Sequence, residues 1–251
     1  MAPVKVTYED DTATVTIDRP DQSNALDSAT ARGLRDAIQE VSERARVVIL
    51  TGAGRAFCAG GDLQELQRWS DLSEEEIGSF LYSGFQGMVR AIRSSPAIVI
   101  AAVNGAAVGA GMDLALACDI RIAGESARFG QVWVRLGVIP GTGGAYLTQA
   151  LAGPGRAAEL LLTGDVIPAA AALEAGLVNR VVADDALLSE ARAVAARILR
   201  HPREGVVANK IAYVAATQPA VEAALAHAAA VQPGRFTSEE FRQAVRAALA
   251  R

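Results

Sequence analysis

The chain has 251 residues, 51% of them hydrophobic and 21% charged, with a formal net charge of −4. That length carries one large core, or a core with an appendage, and the charge balance speaks against a nucleic-acid or membrane-surface partner. No apolar run reaches the length of a membrane span, the start Met1-Ala-Pro-Val-Lys-Val lacks a signal pattern, and Cys58 and Cys118 make neither a CxxC pair nor a disulfide framework, so a reducing cytoplasm is the expected location.

The first stretch alternates. Val4, Val6 and Tyr8 share a face, Thr12 to Asp18 repeat the pattern, and Glu9-Asp-Asp11 lies between, which predicts a β-hairpin. Asp27 or Ser28 is the expected cap of a helix reaching Arg44, with Leu34, Ile38 and Val41 on its buried stripe. Val47–Leu50 and Ala97–Val103 read as buried strands, each running into a glycine-rich turn that opens a helix, at Leu63 and at Met112. Ile120-Arg-Ile122 is a further strand, and the polar stretch from Ser70 to Gly87 reads as a helical cover. The repeated strand, turn and helix argue an α/β layered fold. After Gly143 alanine-rich helical segments dominate: Ala145–Leu151, Arg156–Leu162, Ala169–Ala175, Asp184–Arg200, Glu204–Ala216 and Val221–Ala230, with a strand at Val178–Val182. Thr237 or Ser238 is the expected cap of the last helix, with acids in its first turn. The expected division is an α/β core over 1–195 and a helical C-terminal part over 196–251.

Several chemistries lack their residues. There is no GxxxxGK[ST] phosphate loop, no GxGxxG after the first strand and no GxSxG elbow. His201 and His227 stand alone in helical sequence, and no His/Cys/carboxylate group has zinc spacing. Cys58 lies in a suggestive loop without a histidine near it, so packing is its expected role. Two glycine-rich turns remain, Ala56-Phe-Cys-Ala-Gly-Gly-Asp-Leu63 and Ala102-Val-Asn-Gly-Ala-Ala-Val-Gly-Ala-Gly-Met-Asp113. A helix start leaves N–H groups without partners, and two such starts brought together offer two donors to one oxygen. That is the layout of an oxyanion hole for a thioester enolate. Tight helix–strand packing uses glycines equally well, and spacing alone leaves both readings open.

These pieces also carry a resemblance. Asp18-Arg-Pro with Asn24-Ala-Leu26, the two glycine-rich turns, Leu114–Arg121, Ala127-Arg-Phe-Gly-Gln131, Leu136–Gly141, Leu162-Thr-Gly164, Ala172–Asn179 and Phe236–Glu240 stand in an order and spacing similar to the enoyl-CoA hydratase/isomerase (crotonase) superfamily over almost the whole chain. The resemblance implies a crotonase-like spiral of ββα units and a helical C-terminal region that forms trimers, or pairs of trimers, and covers the site. It implies an acyl-CoA substrate, with CoA running past Asn24, Ala25 and Leu26 and past Ala59, Gly60, Asp62 and Leu63. The thioester oxygen is expected between the N–H groups of Gly61 and Ala110, next to Gly109. No metal or redox cofactor is implied, since CoA arrives as part of the substrate. Asp62 is expected mainly to brace its loop, and the stretch from Ser70 to cover the acyl pocket.

The sequence departs from this family in its proton-transfer groups. Typical hydratases of the family place two glutamates over the double bond; the matching positions here are Asp113 and Trp133. Indole donates one N–H and cannot shuttle a proton at neutral pH. Hydration needs a base for water and an acid for C2, whereas isomerisation needs one base that removes a proton and returns it. Asp113 is shorter than glutamate by one C–C bond, roughly 1.5 Å. It is expected to be the catalytic carboxylate, with a first-turn acid complementing the helix dipole as the alternative. Trp133 is either core packing or a wall of the acyl pocket whose N–H meets a substrate oxygen. Relatives that displace halide carry tryptophan there but a nucleophilic aspartate near the position of Gly141, so dehalogenation is rejected. A silent acyl-CoA binder, or a thioester hydrolase or decarboxylase on the same scaffold, remains the alternative to hydratase/isomerase chemistry.

Overall fold

The computed structural model describes residues 3–250. Strands β1 (Val4–Glu9) and β2 (Thr12–Ile17) form the expected antiparallel hairpin, with Val6 opposite Val15. Alternation does its usual work in β2, where Ala13, Val15 and Ile17 are buried and the intervening threonines are not. From β2 the sheet continues in parallel through β3 (Val47–Gly52), β5 (Ile98–Val103), β7 (Ile120–Gly124) and β10 (Arg180–Val182), in the order β1-β2-β3-β5-β7-β10. Strands β3 and β5 are buried at every position, which is why they read as unbroken apolar runs.

A second sheet takes the order β4-β6-β8-β9, built from β4 (Ala56–Cys58), β6 (Ala106–Val108), β8 (Arg128–Gly130) and β9 (Val166–Pro168). From the sequence the first two are expected as turns, and no strand is expected at the others. Segments of three residues are too short to show a period of two. Each of β4, β6 and β8 follows directly on a strand of the large sheet, and α2 (Leu63–Trp69), α5 (Ala110–Ala117) and α6 (Gly144–Thr163) come after them. This is the ββα succession that the resemblance implies.

Helix α1 (Ser28–Arg44) starts where Asp27 accepts a hydrogen bond from the Thr30 N–H at 2.7 Å, and it buries Leu34, Ile38 and Val41. The stretch after Ser70 is helical as expected. Helix α3 (Glu74–Phe80) opens with a capping box between Ser73 and Glu76, a π-turn covers Leu81–Gln86, and α4 (Gly87–Ser94) follows. Its buried side presents Ile77, Leu81 and Phe85. Trp69 locks this cover to the C-terminal helices. Its ring stacks on Phe80 with centroids 5.7 Å apart and meets Phe85 and Phe236 edge-on.

After α7 (Ala169–Glu174) and α8 (Leu187–Leu199), helix α9 runs unbroken over Arg203–Phe236, where two helices are expected from the sequence. Pro219 and Pro233 lie inside it. Each lacks an N–H and interrupts the ladder, yet Val221, Leu225 and Ala228 keep one face buried and hold the helix on course. Within α6 the two expected helical segments stay distinct, since Gly153, at φ 76 and ψ 165, breaks the helix between them. Ser238 caps the final helix, α10 (Glu239–Leu249), by accepting from Phe241 N–H. Leu225, Phe236, Phe241 and Val245 belong to the same core cluster as the strands and α1, so the C-terminal helices close the core rather than standing apart from it.

Candidate active site

The two glycine-rich turns pack directly on one another. A Cβ added to Gly111 would stand 2.1 Å from the Cys58 carbonyl oxygen, and one on Gly60 would stand 2.9 Å from the Val108 carbonyl oxygen. Gly60 has φ 93 and Gly109 φ 54, conformations that side-chain-bearing residues rarely adopt. Glycine is therefore required here both for backbone shape and for close approach.

The direction of two N–H groups follows from this backbone. Gly61 bridges Leu26 in parallel fashion: the Leu26 N–H donates to Gly60 O, and the Asp62 N–H donates to Leu26 O. In such a bridge the central residue's own N–H points to the opposite side, so that of Gly61 faces away from Leu26. Ala110 is the first residue of α5, and its cap, Gly109, supplies no side-chain acceptor. Its N–H belongs to the unpaired donors of a helix start. Gly61 and Ala110 both line one cavity of about 670 Å³, together with Leu66, Trp133, Leu136 and the small-residue face Ala244, Ala247 and Ala248 of α10.

The first turn is braced from below. The Asn24 side chain is fully buried and donates to the Ala53 and Ala56 carbonyls at 2.8 and 2.6 Å, while its Oδ1 accepts from the Arg19 N–H. Asp62 caps α2 through Gln64 and Glu65 N–H groups and accepts from Arg19 Nη2 at 2.9 Å. Arg19 also pairs with Asp27 at 3.1 Å and donates to the Ala25 carbonyl. Of the residues expected to line the CoA path, Gly60 lines the large cavity, while Ala25, Ala59, Asp62 and Leu63 border a second, more polar groove with Arg19, Gln22, Gly61 and Gln64. Asn24 and Leu26 are fully buried beneath it. Asn24 spends its amide on the β3–β4 turn and Leu26 joins the core, so their side chains shape the groove from behind.

Asp113 is fully buried on the first turn of α5. Its Oδ1 accepts from Gln131 Nε2 at 2.9 Å and its Oδ2 from the Thr142 hydroxyl at 2.6 Å, with the backbone of Thr142 and Gly144 adding further hydrogen bonds. A Cβ on Gly144 would fall 1.8 Å from Oδ1, so the carboxylate fills the space that glycine leaves. Burial pushes its pKa up to about 6, against the pull of the hydrogen bonds from Thr142 and Gln131. Asp113 is not among the residues lining the large cavity, and neither is Gly141, whose carbonyl accepts from Gln86. Trp133 does line it, 7% exposed. No acidic side chain borders that cavity among the described residues.

Sequence reasoning missed Gln131, Thr142 and Thr148 as the hydrogen-bonded company of Asp113, and it missed Arg135 and Val132 beside Trp133. Gln131 closes a segment that carries the resemblance, but nothing in the sequence ties it to Asp113, and Thr142 and Thr148 are isolated polar residues without a period. Cys58 and Cys118 are buried thiols whose pKa burial raises to about 12, in keeping with packing. His201 and His227 are exposed and outside the cavity. Among the described residues there is no group of three or more metal-ligating side chains, and no helix is long and apolar enough to cross a membrane.

The profile of the family described as enoyl-CoA hydratase/isomerase matches residues 7–249. A protein named probable enoyl-CoA hydratase from Rhodobacter capsulatus is 38% identical over 239 residues, covering 94% of this chain and 91% of its own. A crotonyl-CoA hydratase from Syntrophomonas wolfei is 41% identical over 207 residues, 81% of this chain and 78% of that one. The crystal structure of an enoyl-CoA hydratase/isomerase from Mycobacterium paratuberculosis superposes with a TM-score of 0.92 at 31% identity, covering 98% of each chain.

Proposed function

We propose that this chain, which belongs to the enoyl-CoA hydratase/isomerase family, acts on an acyl-CoA thioester through the backbone N–H groups of Gly61 and Ala110 and a single carboxylate, Asp113. The observation that carries the reading is the packing of Gly60 and Gly111 against the opposite turn, which brings two unpaired donors to one cavity. Donors fixed in a water-poor pocket stabilise the oxygen of an enolate without reorganising. The groove past Ala25, Ala59, Asp62 and Leu63 takes the CoA arm, and the cavity between Trp133 and α10 takes the acyl end. Asp113, on the same helix as Ala110, moves the proton. A pKa of about 6 leaves it mostly ionised at neutral pH and still able to return a proton. One carboxylate suffices for isomerisation, and hydration requires that Asp113 serve twice or that water supply the second proton. The reaction so described needs no metal or redox cofactor. A cytoplasmic location and assembly into trimers, or pairs of trimers, belong to the same proposal. Exposed Ile211 and Tyr213 on α9 support the assembly, and sedimentation velocity tests it.

One observation favours a second reading. Both oxygens of Asp113 already accept side-chain hydrogen bonds away from the cavity, as a brace would. On that reading the chain is a silent acyl-CoA binder. Catalytic hydrogen bonds often rearrange only when substrate arrives, so the decision is experimental. Incubation with a panel of enoyl-CoAs in heavy water, read by mass spectrometry, separates the readings. Gain of one water establishes hydration, and deuterium uptake without addition establishes isomerase-type transfer. Saturable binding with unchanged thioesters establishes the silent binder, and release of free CoA establishes hydrolysis.

A further inference from the structure

Trp133 lines the cavity beside Gly109 and Ala110, and its indole Nε1–H is buried with no acceptor among the described residues. The five-membered part of the indole packs near the second glycine-rich turn. Cε2, the ring carbon bonded to Nε1, lies 3.8 Å from the place a Cβ on Gly109 would take. The next residue is Ala110, the proposed thioester donor. Indole is a donor only, and proteins pair nearly all such buried groups because an unpaired one costs free energy.

The same stretch holds more unpaired polar atoms. Gln131 Oε1 has no partner, although its Nε2 donates to both Asp113 and Thr148. Gln232 accepts from the Ile139 N–H at 3.0 Å, while its own Nε2, also unpaired, lies 3.1 Å from the Cβ site of Gly141. Of five buried side-chain atoms without partners among the described residues, these three lie on or against residues 131–141. Of these three residues only Trp133 lines the cavity, and a plain hydrocarbon chain there offers its N–H no acceptor.

We propose that Trp133 is a specificity-determining donor whose N–H takes an oxygen on the acyl group. The preferred substrates are acyl-CoA thioesters bearing a carbonyl or hydroxyl on the acyl chain rather than unsubstituted fatty chains. This rests on the thioester oxygen standing at Gly61 and Ala110, which places the acyl carbons beside Gly109 and the indole edge. A site built to hydrogen-bond a substrate oxygen discriminates strongly against the analogue lacking it, because its own group is then left unpaired.

The test is calorimetric and needs no turnover. Hexanoyl-CoA is compared with 3-oxo-, 4-oxo- and 5-oxohexanoyl-CoA, none of which carries a double bond to hydrate. At least one oxo analogue is expected to bind the wild-type chain about tenfold more tightly than hexanoyl-CoA. In Trp133→Phe, which keeps a ring and removes the N–H, that advantage is expected to fall to about twofold or less, with hexanoyl-CoA changed by less than about threefold. Equal affinities across the wild-type series overturn this inference alone, as does an advantage that persists in Trp133→Phe, which would leave the indole to an ordered water. Absence of binding by every thioester overturns the proposed acyl-CoA site together with the inference. The wild-type series decides even where the variant does not fold.

Discussion

The Thr142 hydroxyl donates to Asp113 Oδ2 at 2.6 Å and joins the loop before α6 to the first turn of α5. Through this contact a buried loop favours the ionised form of a carboxylate that the core has sealed. Thr142→Val keeps the shape and removes the donor. The ionised form loses a charge-assisted hydrogen bond, so the acid limb of the turnover–pH profile is expected to move to higher pH by about one unit. A pH profile of kcat on the substrate found above checks this.

The same carboxylate should mark the stability curve. Its folded pKa, about 6, lies above the ordinary 3.8. Between those values the folded state holds a proton that the unfolded chain has released, so Asp113's contribution to stability falls as pH rises from about 4 to about 6. Above that it stays low, and below about 4 it levels off. Urea unfolding of the wild type and Asp113→Asn across pH 4–8 is expected to show a difference curve that moves in this window and is flat above it.

Close packing of the two turns predicts a joint loss of stability and rate. Gly111→Ala places a methyl 2.1 Å from the Cys58 carbonyl oxygen, which is backbone and cannot swing away. We expect a loss of about 3 kcal/mol in unfolding free energy. Displacement of Ala110 by about 1 Å should lower kcat by about 100-fold. Thermal melting and steady-state kinetics on one preparation measure both.

The fold was legible where periodicity is long enough to see. Alternation in β2, the stripe of α1 and the caps at Asp27 and Ser238 all stand where the sequence puts them. The small sheet was hidden because its strands are three residues long, and α9 looked like two helices because Pro219 imitates a terminus that burial of Val221 and Leu225 overrides. At the site, the close approach of the two turns was legible as glycines before helix starts. The enclosure of Asp113 was not, because its donors Thr142 and Gln131 lie 29 and 18 residues away in sequence. The brace role of Asn24 likewise depends on carbonyls of a turn 29 and 32 residues on, Ala53 and Ala56.

A buried ion pair away from the cavity separates stability from chemistry. Lys210 Nζ donates to Asp119 at 2.8 Å and to the Ile92 and Ala97 carbonyls, with its side chain almost wholly buried. Lys210→Met leaves Asp119 uncompensated and is expected to cost about 3–5 kcal/mol. The fraction that remains folded should keep the wild-type KM, since no part of this group touches the cavity.

The most direct test of the central claim is deuterium incorporation from heavy water into a turned-over enoyl-CoA, compared between wild type and Asp113→Asn at pH 7.5. The account predicts exchange or hydration by the wild type and a loss of about 10²–10⁴-fold in the variant, with acyl-CoA affinity retained through Gly61 and Ala110. Undiminished exchange in Asp113→Asn would contradict it and leave Asp113 as a brace between α5 and the Thr142 loop.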